Sequence, residues 1–413
     1  TFFMSSGGID VSGLEKKEDN DVLFIGFNQD QSCLAVGVSK GFKVFNCSPF
    51  HEQVNSEMEG GGIRLVEMLF RCNIFALVGA ADNTRFPPNQ VIIWDDKRKK
   101  DIGQLSFRHD VKAVRLRRDK VVVVLEYKVL VFNFSDLSQL MEIDTISNPK
   151  GLCALCPAPN HTVLACPGTQ KGQVRLELSE LRRTFSLAAH TAALSCLALT
   201  LDGTRLATAS EKGTILRVFD TLTGKLLQEV RRGAQAADIC GIAFSPTSSL
   251  LSCASVRGTV HIFSLAEAAA AAQTNGEGRH DDVSGEKKEQ HAASNCRSSL
   301  SFMGSVVNYF NSEWSFARFR LPGTAHGNTI CSFASDPNTI LVVTASGQVH
   351  SCTFKPDGAA GQECEAGVSC SFVPEKLDAA TQGGAGGVDG DAAALAALLI
   401  EKDEGASGED EAA

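Results

Sequence analysis

Short apolar runs separated by small polar turns fill the first 355 positions, and their spacing predicts strands rather than helices. Residues 22–45 read strand, turn, strand, with Ser39-Lys40-Gly41 ahead of Phe-Lys-Val-Phe. The same rhythm returns at 63–94 with a longer insert at 81–90, then at 111–134, at 151–178, and at 330–354, where Ser346-Gly347 supplies the turn. Positions 121–125, Val-Val-Val-Val-Leu, are a strand by β-branching alone.

Two further segments repeat one another. Leu-Ala-Thr-Ala-Ser-Glu-Lys-Gly-Thr-Ile-Leu-Arg-Val-Phe begins at Leu206, and Leu-Ser-Cys-Ala-Ser-Val-Arg-Gly-Thr-Val-His-Ile-Phe-Ser begins at Leu251. Ser210, Gly213 and Thr214 recur as Ser255, Gly258 and Thr259, each 45 residues on, and Gly172 precedes Gly213 by 41. A period of about 40–45 residues with one glycine turn per unit is the signature of propeller blades, whose apolar faces only neighbouring blades can cover. The expected fold is all-β: a seven-bladed WD-repeat-type β-propeller over residues 21–355.

The rhythm breaks between 265 and 312, where Ala-rich and then charged sequence precedes an apolar stretch, and it resumes at Glu313-Trp-Ser-Phe-Ala-Arg-Phe-Arg320 as a last strand. This is a long loop inserted in blade six. Residues 1–20 are expected to be a disordered N-terminus, and 356–413 a disordered acidic Ala/Gly-rich tail.

Charge sharpens that division. The net charge is −9, but thirteen acidic and two basic residues follow Lys355, so the tail carries −11 and the body +2. A nearly neutral body argues against a nucleic-acid binder. The fourteen cysteines lie mostly in apolar runs, as buried thiols do in a reducing compartment. Cys153 and Cys156 form a lone C-x-x-C without partners at zinc spacing, so no metal and no cofactor is expected. Residues 1–20 hold no apolar signal core, and no run approaches the ~18 apolar residues of a membrane span. The expectation is a cytoplasmic protein with peripheral membrane contact. The nine histidines are dispersed and no nucleophile stands beside a base, so no enzyme is expected.

The candidate chemistry centres on Val230-Arg231-Arg232-Gly233. Successive side chains of a strand point to opposite faces, so the two arginines favour two sites. His190, Thr208, Ser210, Lys212, Thr214 and Arg217 are available to Arg231 on the blade-five side. Ser255, Arg257, Thr259 and His261 are available to Arg232 on the blade-six side. Hydroxyls, imidazole and guanidinium around a glycine turn suit a phosphomonoester, which Arg binds through two parallel hydrogen bonds. The competing reading is a solvated arginine pair with hydroxyls that only staple turns.

Val-Arg-Arg-Gly, Ala-Ser-Glu-Lys-Gly-Thr, Gly-Thr-Val-His-Ile-Phe and Asn148-Pro-Lys-Gly-Leu-Cys153 resemble the PROPPINs, the WIPI and autophagy-related protein 18 propellers, nearest to plant-type members. The family motif usually opens with Phe or Leu, and Val230 departs from it. The resemblance implies recognition of phosphatidylinositol 3-phosphate and phosphatidylinositol 3,5-bisphosphate at two rim sites. The ligands it implies are Thr208, Ser210, Gly213, Thr214, Arg217, Arg231, Arg232, Gly233, Ser255, Thr259 and His261. It further implies recruitment to phagophore assembly sites, endosomes or the vacuole membrane, with autophagy-related protein 2 as a partner. The turn Asn83-Thr-Arg-Phe-Pro-Pro-Asn89 is a candidate contact for that partner.

In the blade-six loop, Leu300, Phe302, Met303, Val306, Val307 and Phe310 fall on one face of a helix, opposite Ser and Asn. Such a face in an exposed loop can insert shallowly into a headgroup layer, a use the resemblance also implies, or it can pack back on the propeller. The rival function is a propeller that serves only as a protein scaffold.

Overall fold

A computed structural model describes residues 3–5, 8–10, 21–265, 295–297, 313–323 and 328–373, and every helix or strand among them is a β-strand. Blade one comprises Val22–Phe27, Cys33–Val38, Gly41–Cys47 and Phe50–Glu57. Blade two comprises Ile63–Met68, Ile74–Gly79, Gln90–Asp95 and Lys100–Ser106. Ala113–Arg117, Lys120–Val124, Lys128–Asn133 and Gln139–Asp144 make blade three. Ala154–Leu155, Val163–Pro167, Gln173–Leu178 and Arg183–Ala188 make blade four. Blade five holds Leu194–Leu199, Arg205–Ser210, Ile215–Asp220 and Leu226–Arg231, and blade six Ile239–Phe244, Leu250–Ser255, Thr259–Ser264 and Ala317–Arg320. Thr329–Phe333, Thr339–Thr344, Gln348–Thr353 and Glu365–Ser371 form blade seven. The chain is a seven-bladed β-propeller.

The three inner strands of each blade are buried on both faces, because a neighbouring blade covers each side, and so they read as continuous apolar runs. Phe42, Phe75, Trp94, Leu116 and Phe132 join blades one to three in one cluster. Val22, Leu34 and Phe45 meet Leu341 and Val343 where blade one joins blade seven. The turn between the first two strands of blade one adds a hydrogen-bonded hub. Gln29 donates to the Met68 and Leu116 carbonyls (2.5 and 3.1 Å). Gln31 donates to the Phe244 carbonyl (3.0 Å) and accepts from the Phe333 N–H (2.9 Å).

Three boundaries differ from expectation. The tail was expected from 356, yet Glu365–Ser371 pairs with Gln348–Thr353 and supplies the fourth strand of blade seven. The strand is small, polar and mostly exposed, so composition disguised it. Within the expected disordered N-terminus, Phe3–Ser5 and Gly8–Asp10 pair with each other, and Gly8–Asp10 adds to the inner strand Val22–Phe27. An open strand edge offers backbone partners that composition does not reveal. The single strand expected over 313–320 is two: Glu313–Trp314 runs parallel to Val230–Arg231 of blade five, while Ala317–Arg320 closes blade six.

Candidate functional site

Two glycine turns order the candidate residues. Gly213 (φ 56°) and Gly258 (φ 67°) occupy the left-handed region that favours glycine, and their N–H groups donate to the Ser210 and Ser255 carbonyls (2.8 and 3.0 Å). A Cβ on Gly213 would fall 1.8 Å from the Ala237 carbonyl oxygen, so the turn excludes any side chain.

Around the blade-five turn, His190 Nε2 lies 2.9 Å from Thr208 Oγ1. Arg217 pairs with Glu229 across the strands (Nε–Oε2 2.8 Å) and donates to the Ala189 carbonyl (2.5 Å). Burial, and then the positive charge of Arg217, hold the His190 pKa down to about 4, so its ring is neutral at physiological pH. Thr208 is 0% exposed and Ser210 is buried, which places both behind the cluster rather than at its surface. Lys212 stands exposed at the turn tip and Thr214 is half-buried. The Thr214 carbonyl accepts the N–H groups of Arg232 and Gly233 (2.9 and 3.5 Å).

The arginine pair is asymmetric. Arg231 ends the outer strand of blade five opposite Ile215 and is half-buried. Arg232 is 7% exposed, donating Nε to the Gly213 carbonyl (2.8 Å) and Nη2 to the Gln235 carbonyl (2.5 Å). Instead of projecting freely from the rim, Arg232 braces the blade-five turn while its charge remains close to blade six.

On the blade-six side, His261 is 9% exposed, with Nδ1 3.1 Å from Ser315 Oγ and its ring stacked near Phe263. Burial, then the charges of Arg232, Arg318 and Arg320, press its pKa down to about 3. Ser255 is fully buried, its hydroxyl donating to the Thr259 carbonyl (3.4 Å). Arg257 is exposed and donates to the Gln235 side chain, and Thr259 is half-buried. Sequence reasoning missed Arg318 and Arg320. They lie directly opposite His261 and Thr259 in the antiparallel ladder, so all four side chains share one face. The alternation Ala317-Arg-Phe-Arg320 was visible, but its register was not.

The six apolar residues Leu300, Phe302, Met303, Val306, Val307 and Phe310 lie outside the described residues. Their stretch is bracketed by Cys296–Arg297 and Glu313–Trp314, which pair antiparallel beside blade five. Asn295 exchanges two 2.7 Å hydrogen bonds with the main chain of Ser264, and Glu313 accepts from Gln228 (2.6 Å) and Asn295 (3.1 Å). The 83–89 turn is folded onto blade two. Asn83 caps it by accepting from the Arg85 and Phe86 N–H groups, Phe86 is buried against Trp94, and Thr84 and Arg85 are exposed. Among the described residues no group of three or more His, Cys, Asp or Glu is disposed to hold a metal ion.

A closed ring of seven blades with imidazole–guanidinium clusters on two adjacent blades defines a binding propeller. The PROPPIN family model matches residues 22–371, and the chain belongs to that family. Autophagy-related protein 18e of Arabidopsis thaliana is 37% identical over 344 residues, covering 82% of this chain and 85% of that protein. Autophagy-related protein 18 of Yarrowia lipolytica is 32% identical over 387 residues, covering 84% and 95%. Among solved structures, Kluyveromyces lactis Hsv2 superposes with a TM-score of 0.65 at 23% identity, over 85% of this chain and 98% of that one. KlAtg21 in complex with the coiled coil of AgAtg16 gives 0.63 at 24% identity, over 86% and 99%. At such identities these two show the fold. Family membership makes this an autophagy-related, phosphoinositide-binding propeller and not an enzyme.

Proposed function

We propose that the chain recognises phosphatidylinositol 3-phosphate and phosphatidylinositol 3,5-bisphosphate through the clusters on blades five and six, and so docks on autophagic, endosomal or vacuolar membranes. The observation that carries this reading is the pair of neutral imidazoles, half-buried His190 and buried His261, each beside guanidinium groups on either side of Arg231-Arg232. Glu229 balances Arg217 and Glu363 stands at Arg318, yet both imidazoles still lie in a net positive field with Arg232 between the two clusters, an environment that suits an anion. Once docked, the propeller recruits autophagy factors, autophagy-related protein 2 among them, with Thr84 and Arg85 of the blade-two turn as the surface offered. The experiment is vesicle flotation of the double variant Arg231→Thr, Arg232→Thr. Binding to 3-phosphoinositide vesicles is lost while circular dichroism stays that of a folded propeller. The melting transition falls, because Arg232 braces the blade-five turn, so flotation is scored well below it. Retained flotation refutes the assignment and favours the scaffold reading.

A further inference from the structure

The chain returns to blade six after completing three strands of blade seven. Gln362–Glu363 pairs parallel with Ala317–Arg318, and main-chain bonds on either side, Gly361 N–H to the Phe316 carbonyl (2.7 Å) and Cys364 N–H to the Arg318 carbonyl (2.8 Å), fix its position. Gln362 is itself tied by its side chain to the main chain of Lys355 (3.1 and 2.8 Å). This holds the Glu363 carboxylate 2.6 Å from Arg318 Nε and 3.9 Å from Arg320 Nε. Both arginines belong to the face that carries Thr259 and His261. Arg320 keeps 69% of its side chain exposed and Glu363 half, so solvent and ligand reach the pair.

We infer that Glu363 is a built-in counter-ion of the blade-six cluster, occupying Arg318 and Arg320 until a phosphate of the ligand displaces it. Arg318 and Arg320 thereby become part of the anion site, and Glu363 sets its threshold. A resident carboxylate at such an edge weakens every anion. The one that replaces it best presents several negative oxygens at once, as an inositol phosphate does and a singly charged lipid headgroup does not. The ion pair is exposed, so its effect is modest and screened by salt.

This inference rests on the reading of the blade-six cluster as a headgroup site, and its test separates the two. Full-length wild type, Glu363→Gln and Glu365→Gln are titrated with soluble inositol 1,3-bisphosphate and with phosphatidylcholine vesicles containing phosphatidylinositol 3-phosphate. Glu365 pairs with Lys355 (2.9 Å), so Glu365→Gln makes the same change in net charge at a different ion pair. Glu363→Gln binds both probes roughly three- to fivefold more tightly at low salt, the size expected for an exposed ion pair. Glu365→Gln matches wild type, and Arg320→Ala placed in the Glu363→Gln background removes the gain. A gain with vesicles alone assigns the site to lipid at a surface, and a gain with both assigns it to the phosphate itself. Equal binding by wild type and Glu363→Gln, or an equal gain from Glu365→Gln, overturns the inference while leaving the headgroup reading intact. Failure of wild type to bind either probe overturns both.

Discussion

His190, in the connection leading into blade five, is half-buried, and His261, on the third strand of blade six, is buried; each carries the cost of a desolvated imidazole beside guanidinium groups. In the unfolded chain both titrate near pH ~6.5. In the fold, burial and neighbouring arginines hold them at about 4 and about 3. Between those limits the unfolded chain binds more protons, so the stability associated with the neutral rings is complete above pH ~6.5 and is lost as the pH falls through the folded values. Urea midpoints measured from pH 7 downward therefore decline. In His190→Gln the decline is shallower down to about pH 4, and in His261→Gln down to about pH 3. Slopes identical to wild type in both variants would show that the rings do not titrate this way.

Among the elements, the outer strands behave differently from the inner ones. Phe50–Glu57, Lys100–Ser106 and Gln139–Asp144 are largely exposed and polar, and the sequence rhythm, which follows apolar runs, stops one strand short in each of these blades. Glu365–Ser371 is the extreme case. It is followed by Phe372, whose ring lies 5.3 Å from Phe45 and joins the packing between blades seven and one. A chain ending at Lys355 loses this strand and that aromatic contact, whereas one ending at Val373 keeps both. Thermal unfolding is expected to show the shorter chain destabilised by about 2 kcal/mol or more, the scale of a buried large apolar side chain, with the longer truncation close to full length. Equal melting temperatures would mean that the strand adds nothing to closure.

At the scale of the whole molecule, binding strength is a matter of combination. A single headgroup in a shallow rim site gives weak attachment, and linking several weak contacts on one rigid body raises the effective concentration of each. The propeller supplies that rigidity, and the paired strands Cys296–Arg297 and Glu313–Trp314, which precede and follow the apolar stretch in the sequence, lie beside Val230–Arg231. Phe302→Ser with Phe310→Ser is therefore expected to lower vesicle flotation severalfold while leaving soluble headgroup affinity at the wild-type value. A parallel loss in both assays would assign the two phenylalanines to folding or to the headgroup site. No helix among the described residues is long and apolar enough to cross a membrane.

What the sequence determined by itself was the repeat and the chemistry carried on it. A 45-residue offset between Ser210-x-x-Gly-Thr and Ser255-x-x-Gly-Thr fixes two equivalent turns, because only glycine fits their left-handed backbone, and Arg231-Arg232 falls between them. Periodicity along a chain is local information. Tertiary structure alone decided which side chains are withdrawn and which are shared: Thr208 and Ser255 lie buried, Arg232 folds inward onto the Gly213 carbonyl, and Arg318 and Arg320 join His261. Nothing in residues 317–320 names a partner strand, and nothing in Glu363 shows that the chain returns to meet them. Those facts depend on register and ring closure, which bring together residues that are far apart in the sequence.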